Sequence, residues 1–364
     1  MIQDLTILLV RLVDLVAQYR IALLFVACLV LGAAGAWLVA GVPFRERLLD
    51  KPNERSSHTI PTPRGGGVGI LLAFVAAGLT LRIPTTFLFS AILVSAVSFY
   101  GDYFRLTVKF RLVFQFLSTL IFLFPLLPGL SAHYASSAFG ALPFLLILPF
   151  LFVFMIGTAN FFNFMDGING IAGIGGAIGF GLLGGYTLCF PPGPDPLHTG
   201  LSLLSVCISL ACLGYLPFNV PRARVFMGDG GSILLGFVFA GLVLTLSRND
   251  LERVCFAALL FPFYADELTT MVVRLRDRQP LTRSHRRHLY QLLANELGIA
   301  HWKISSAYGA AQLVVGAGVL AAYSCGTGPV WILLTACFIG FALLTARVRK
   351  IANPRGMGPS LSRR

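Results

Sequence analysis

The sequence predicts an all-α integral membrane protein, a polytopic bundle of about 11 transmembrane helices with an active site on the cytoplasmic face. Composition is the first observation behind this: the 364 residues are 56% hydrophobic and 12% charged, with a mean hydropathy of +0.81, far outside the averages of soluble domains. The second is run length. Stretches such as "IALLFVACLVLGAAGAWLVAGV" and "ALPFLLILPFLFVFMIGTA" continue for about 20 residues without a charge, enough to cross a ~30 Å hydrocarbon core. In lipid every backbone polar group must be paired within its own segment, so such runs are helices. The third is charge placement. Of the 28 basic residues, 23 fall in alternate connections (43–65, 101–111, 218–229, 274–304 and 347–364), the bias expected of cytoplasmic loops.

Taken in order, spans are expected near 21–42, 66–82, 84–100, 111–131, 141–158, 170–190, 200–217, 230–247, 254–275, 305–324 and 329–346. Residues 1–20 carry Asp4, Arg11 and Asp14 at one-face spacing and read as an amphipathic interfacial segment. A cleavable signal peptide is not expected, because no basic start precedes the apolar part. The membrane domain is thus 21–346, followed by a basic tail, 347–364. Arg82, Arg248 and Arg253 remain on the other side, which puts the amino terminus outside and the carboxyl terminus in the cytoplasm. The net charge of +13 is then topology and attraction to anionic headgroups, since the charges are scattered over separate loops rather than forming the stripe that nucleic acid requires. Seven cysteines lie in or at the ends of apolar segments without metal-ligand spacing and read as small hydrophobes.

Polar chemistry concentrates in the loops assigned to the inner face: "LLDKPNERSSHTIPTPRGGGVG", "YGDYFRLTVKFR", "NFFNFMDGING", "FNVPRARVFMGDGGS" and "RLRDRQPLTRSHRRHLYQ". The outer connections "PPGPDPLHTG" and "CGTGP" are turn-like and chemically plain. Asp102, Asp166 and Asp229 suit a hard divalent ion, because Mg²⁺ commonly binds one or two carboxylates plus phosphate oxygens. Arginine and histidine nearby suit the phosphates themselves, and the glycines of "RGGGVG" and "GDGGS" let backbone approach a ligand closely. The combination points to metal-assisted phosphoryl transfer at a membrane surface.

Five ordered motifs carry a resemblance: "DKPNERSSHTIPTPRGGG", Asp102 followed by Lys109 and Gln115, "NFFNFMDGINGIAG", "FMGDGGSILLG", and the series Arg274, Arg276, Arg286 and His288. Over most of its length the chain resembles the polyprenyl-phosphate N-acetylhexosamine-1-phosphate transferases (glycosyltransferase family 4). Phospho-MurNAc-pentapeptide transferase is a more distant relation. The resemblance implies transfer of a sugar 1-phosphate (GlcNAc, FucNAc or QuiNAc) from a UDP-N-acetylhexosamine to undecaprenyl phosphate. UMP is released on the cytoplasmic side of a bacterial inner membrane, and the product initiates O-antigen or other envelope polysaccharide. It implies Mg²⁺, with Mn²⁺ as the substitute, held by Asp229 and Asp166. Asp102, Asp166, Asp229 and His288 are the implied catalytic set. Lys51, Asn53, Arg55, His58, Lys109, Asn160, Asn163, Arg274, Arg276 and Arg286 are the implied substrate contacts. The ending "SHRRHLYQ", with Tyr290 and Gln291 where many members have histidines, looks closest to the O-antigen branch. Partners are the lipid bilayer, the two substrates and no nucleic acid; a homodimer is left open.

Two departures stand out. Gly101 occupies the first position of what is commonly an Asp-Asp pair, and Asn169 replaces a second acid after "DGI". A lipid phosphate is already largely dianionic at pH 7, so direct attack on the sugar-bearing phosphorus needs little proton removal, and single displacement is expected. Structural alternatives stay open for individual residues. Asp102 has Arg105 or Lys109 as salt-bridge partners, Asp266 has Arg274, His288 has a role pairing within its loop helix, and Asn160 and Asn163 could cap a broken helix. A secondary transporter or flippase, or an inactive family member, is the alternative at the level of function.

Overall fold

The computed structural model describes residues 2–41, 49–52, 57, 60–104, 106–135, 142–279 and 286–352. Asn53, Arg55 and His58 lie outside the described residues. The chain forms fourteen α-helices among the described residues: α1 Ile2–Gly41, α2 Val68–Thr80, α3 Thr85–Phe104, α4 Val108–Leu123, α5 Leu127–Ala135, α6 Leu142–Met165, α7 Ile171–Cys189, α8 Pro196–Tyr215, α9 Asp229–Leu246, α10 Asp250–Ala257, α11 Phe261–Arg276, α12 Leu289–Asn295, α13 His301–Tyr323 and α14 Thr327–Ala352. A two-residue hairpin, β1 (Leu49–Asp50) against β2 (Thr62–Pro63), pairs antiparallel. This is an all-α, multi-pass membrane protein, with ten helical stretches among the described residues long and apolar enough to span.

Eleven spans are expected from the sequence, and the difference is α2. Its 13 residues rise only about 20 Å, short of a full crossing. The preceding glycines are used in another way: Gly65 and Gly66 N–H donate to Phe226 C=O and Gly67 N–H to Met227 C=O, so helix begins only at Val68. At the amino end, no break separates residues 2–20 from the first span, which continues in the same helix α1.

The bundle is organised around α9, whose apolar residues run all round the helix and are almost entirely buried, as a helix surrounded by others must be. By contrast α14 turns most of its surface outward. Small residues bring backbones together where lipid supplies no hydrophobic drive between helices. A methyl group at Gly214 in α8 would lie 2.0 Å from the Leu29 carbonyl oxygen of α1. One at Gly236 in α9 would lie 2.6 Å from the Thr158 carbonyl oxygen of α6. The carboxyl ends of α3 and α6 and the amino end of α9 meet at one end of the bundle. At the opposite end lies an apolar cavity of about 460 Å³, lined by Phe87, Phe122, Leu151, Leu201 and Leu244.

Candidate active site

The amino end of α9 is the centre of the site. Gly228, with φ of +79°, turns the chain so that Asp229 opens the helix, and a side chain at 228 would sit 2.9 Å from Gly65 N and 3.0 Å from Asp102 Oδ2. Only glycine relieves both the positive φ and the crowding there. Three carboxylates from three separate connections converge on this turn. Asp102, at the end of α3, accepts from the backbone N–H of Asp229 at 2.8 Å and from that of Gly230. Asp166, just beyond α6, accepts from the backbone N–H of Gly228. Asp229 accepts at Oδ1 from Asn163 Nδ2 at 3.0 Å, and the same amide reaches Ser232 Oγ at 2.9 Å.

Cations rim the cluster. Arg111 pairs directly with Asp229 Oδ2, and Arg64 pairs with Asp50 Oδ2 at 2.7 Å while its charge also faces Asp102, Asp166 and Asp229. Desolvation by surrounding protein, and then the charge of Asp229, push the Asp166 carboxyl well above the usual carboxylate range, with Arg64 opposing. Two acids that resist ionising together in a half-buried hollow are the electrostatic condition that favours an added cation.

No three His, Cys, Asp or Glu among the described residues stand close enough to hold a metal by themselves. Mg²⁺ commonly takes one or two carboxylates and completes its shell with phosphate oxygens and water. The oxygen-only donors of Asp166 and Asp229 fit such an ion.

The fifth loop forms a second cluster. Asp266, fully buried in α11, accepts from the backbone N–H groups of Leu289 (2.8 Å) and Tyr290 (3.4 Å), from Tyr308 Oη (2.7 Å) and from Thr270 Oγ1 (3.3 Å). His288 lies between two acids, with Nδ1 3.5 Å from Asp266 Oδ1 and Nε2 3.3 Å from Glu267 Oε2. Tyr290, stacked on His288, donates from Oη to the Phe164 carbonyl at 2.8 Å, which ties this loop to the turn carrying Asp166.

Of the residues expected from the sequence, Asp102, Asp166, Asp229 and Asn163 are brought together. His288 is joined to Asp266 and Glu267 instead, Arg274 is buried near Glu267, Arg286 is half-buried, and Arg276, Lys109 and Lys51 are exposed. Asn160 exchanges hydrogen bonds with Gln115 and donates to the Ile156 carbonyl within its own helix, a structural pairing. Asp102 binds the backbone of Asp229, with Lys109 exposed and Arg105 outside the described residues, and Asp266 holds the fifth loop through Leu289 and Tyr290. Asn169 serves the fold, donating to the Pro221 carbonyl and accepting from Ser305 Oγ.

Sequence reasoning passed over Arg111, Arg64 and Glu267, and read Asp266 only as a candidate partner of Arg274. Arg111 had a signal: it stands four residues before the buried Gln115, so both share a helix face, whereas Lys109 does not.

Residues 84–247 match the family model described as glycosyl transferase family 4. The chain is 27% identical over 292 residues to a decaprenyl-phosphate N-acetylglucosaminephosphotransferase of Mycobacterium tuberculosis, covering 70% of each. It is 28% identical over 262 residues to an undecaprenyl-phosphate alpha-N-acetylglucosaminyl 1-phosphate transferase of Thermotoga maritima (71% of this chain, 76% of the relative). A Salmonella typhimurium protein of the same description is 26% identical over 323 residues, covering 84% of this chain and 85% of the relative. The fold is that of a multi-pass membrane protein, and across these matches the chain is similar to glycosyl transferase family 4 and to the polyprenyl-phosphate N-acetylglucosamine-1-phosphate transferases.

Proposed function

We propose that the protein transfers an N-acetylhexosamine 1-phosphate from a UDP-sugar to undecaprenyl phosphate on the cytoplasmic face of a bacterial inner membrane, releasing UMP. The observation that carries this is the convergence of Asp102, Asp166 and Asp229 from separate loops at one end of the bundle, rimmed by Arg64 and Arg111. The names of the relatives above supply the reaction class.

An oxygen of the lipid phosphate attacks the sugar-bearing phosphorus of the UDP-sugar. A new P–O bond forms as the bond to the bridging oxygen breaks, and that oxygen departs with UMP. The nucleophile is dianionic near neutral pH, because a phosphate monoester has a second pKa of about 6, so no side chain need remove its proton. Asp166 and Asp229 are the residues that would hold Mg²⁺, which supplies charge neutralisation at the diphosphate when bound. Asn163 fixes the Asp229 carboxylate, and Asp102 fixes the backbone at the start of α9. Arg111 and Arg64 offer guanidinium forks to phosphate oxygens, with Lys109, Arg276 and Arg286 completing the basic surface.

A transporter would place its polar breaks near the midplane and use both faces; here the acids gather at one end, and the cavity at the other end is lined largely by apolar side chains. The deciding experiment is UMP release by purified protein supplied with undecaprenyl phosphate, Mg²⁺ and a panel of UDP-N-acetylhexosamines, including the fucosamine and quinovosamine forms. Turnover is expected with at least one sugar, and the sugar used assigns the polysaccharide; no turnover with any of them overturns the reading.

A further inference from the structure

His288 stands in the motif series on which the resemblance rests, yet its imidazole has a carboxylate against each nitrogen: Asp266 at 3.5 Å from Nδ1 and Glu267 at 3.3 Å from Nε2. Only 4% of its side chain is exposed. The surrounding loop is wrapped on the same acid, since Leu289 and Tyr290 donate their backbone N–H groups to Asp266, and Tyr308 closes the far side. From there Tyr290 reaches the Phe164 carbonyl, two residues before Asp166.

We infer that His288 is a positioning residue: as an imidazolium clamped between Asp266 and Glu267, it seats the fifth loop on α11 and, through Tyr290, sets the turn that presents Asp166, without touching substrate. The inference rests on Asp166 belonging to the reacting site.

The electrostatics agree with this placement. Burial alone would lower the proton affinity of His288, but the adjacent carboxylates of Asp266 and then Glu267 outweigh it and hold the imidazole above its ordinary range, with Arg349 opposing. The charged and titratable groups around the ring are thus Asp266 and Glu267 from α11, Tyr290 from α12, Tyr308 from α13 and Arg349 from α14. Arg274 reaches the group through its charge on Glu267. A clamp of this kind works only while the imidazole is charged, so it predicts an alkaline limit on turnover set by His288.

The test uses the full-length protein in nanodiscs, with ¹⁵N-histidine NMR (the His288 resonances assigned by their loss in His288→Gln) beside kinetics of His288→Gln, Glu267→Gln, Asp266→Asn and the double variant His288→Gln/Asp266→Asn. The expected result is an imidazolium at pH 7 whose resonances do not move when UDP-sugar is added. Asp266→Asn should lower its titration midpoint and carry the alkaline limb of the kcat profile down with it. Each single variant should lose about 10- to 100-fold in kcat, with KM for UDP-sugar little changed. The double variant should be no worse than its poorer parent. Direct shifts of the His288 resonances on adding UDP-sugar, or additive losses dominated by KM, would overturn the clamp and make His288 a substrate contact. Glu267→Gln, the mildest change, keeps the kinetic arm available if Asp266→Asn does not fold. If the wild type turns over no UDP-sugar, the transferase reading fails alone, and the NMR titration still decides whether the two acids hold His288 charged.

Discussion

Two groups of acids, one half-buried and one buried, lie at the same end of this bundle, and they are built in opposite ways. Asp102, Asp166 and Asp229 come from three connections far apart in sequence, face one another, and have Arg64, Arg111 and Asn163 at their edge. Asp266 and Glu267 are neighbours on one helix, and Asp266 is saturated by backbone N–H groups, Tyr308 and Thr270, with His288 3.5 Å away. An acid whose hydrogen-bond capacity is filled by its own protein is a fixture of the fold. The three half-buried acids oppose one another through their charges and keep some access to solvent, so an added cation can be held among them. Proximity in the fold therefore does not make the two groups one site; what each carboxylate already accepts separates them.

The largest effect should come from the first group. Asp229→Asn is expected to cut UMP release by about 10²- to 10³-fold while the protein stays folded, because the amide keeps the shape and loses the charge; thermal melting in detergent alongside the turnover assay checks both halves. Gly228→Ala comes next. It forces a side chain into a φ of +79° against Gly65 and Asp102, and should cost about 1–3 kcal/mol of stability together with most of the activity, read by melting and UMP release.

The second group predicts a pH effect on stability. The folded-state pKa of His288 is raised above its ordinary value, so its contribution is fully present below about pH 6.5 and is lost as pH climbs through the raised value. Melting temperatures measured from pH 5 to 9 should fall on the alkaline side, and His288→Gln should flatten that limb; a limb that survives the substitution belongs to another group. Smaller still is Gln115→Leu, which removes the exchange with Asn160 while leaving the Asn160 amide its bond to the Ile156 carbonyl, and should cost about 0.6 kcal/mol without a change of mechanism. Smallest is Asp250→Asn at the opposite end. It breaks a pair with Arg253 in which the Asp side chain is 75% exposed, and should change stability by less than about 0.5 kcal/mol and turnover not at all.

Much of this architecture was legible in the chain because membrane physics writes it in one dimension: run length fixes the spans, and the positions of the acids name the loops that meet. Asp102, Asp166 and Asp229 could be chosen as charges that an apolar chain keeps at span ends. Short-range geometry was not legible. Nothing in "RGGGVG" distinguishes a span start from a strip of backbone laid against Phe226 and Met227, which is why α2 is shorter than its apolar run. Nor does sequence reveal that Asp266 turns toward Leu289 and Tyr290, 23 and 24 positions later. Lys109 and Arg111 are both basic and differ by two positions, and only the facing of α4 decides that Arg111 meets Asp229.

The loop bearing His288 is held from behind by parts of the chain that follow it: Tyr308 of α13 on Asp266, and Arg349 of α14 on the Arg287 carbonyl and Thr270 Oγ1. During synthesis, then, the three carboxylates have all left the ribosome long before the pieces that brace the fifth loop exist. A nascent chain stopped ahead of residue 349 has its acids but not the Arg349 brace, so the fifth loop waits for a segment made well after the acids it stands beside.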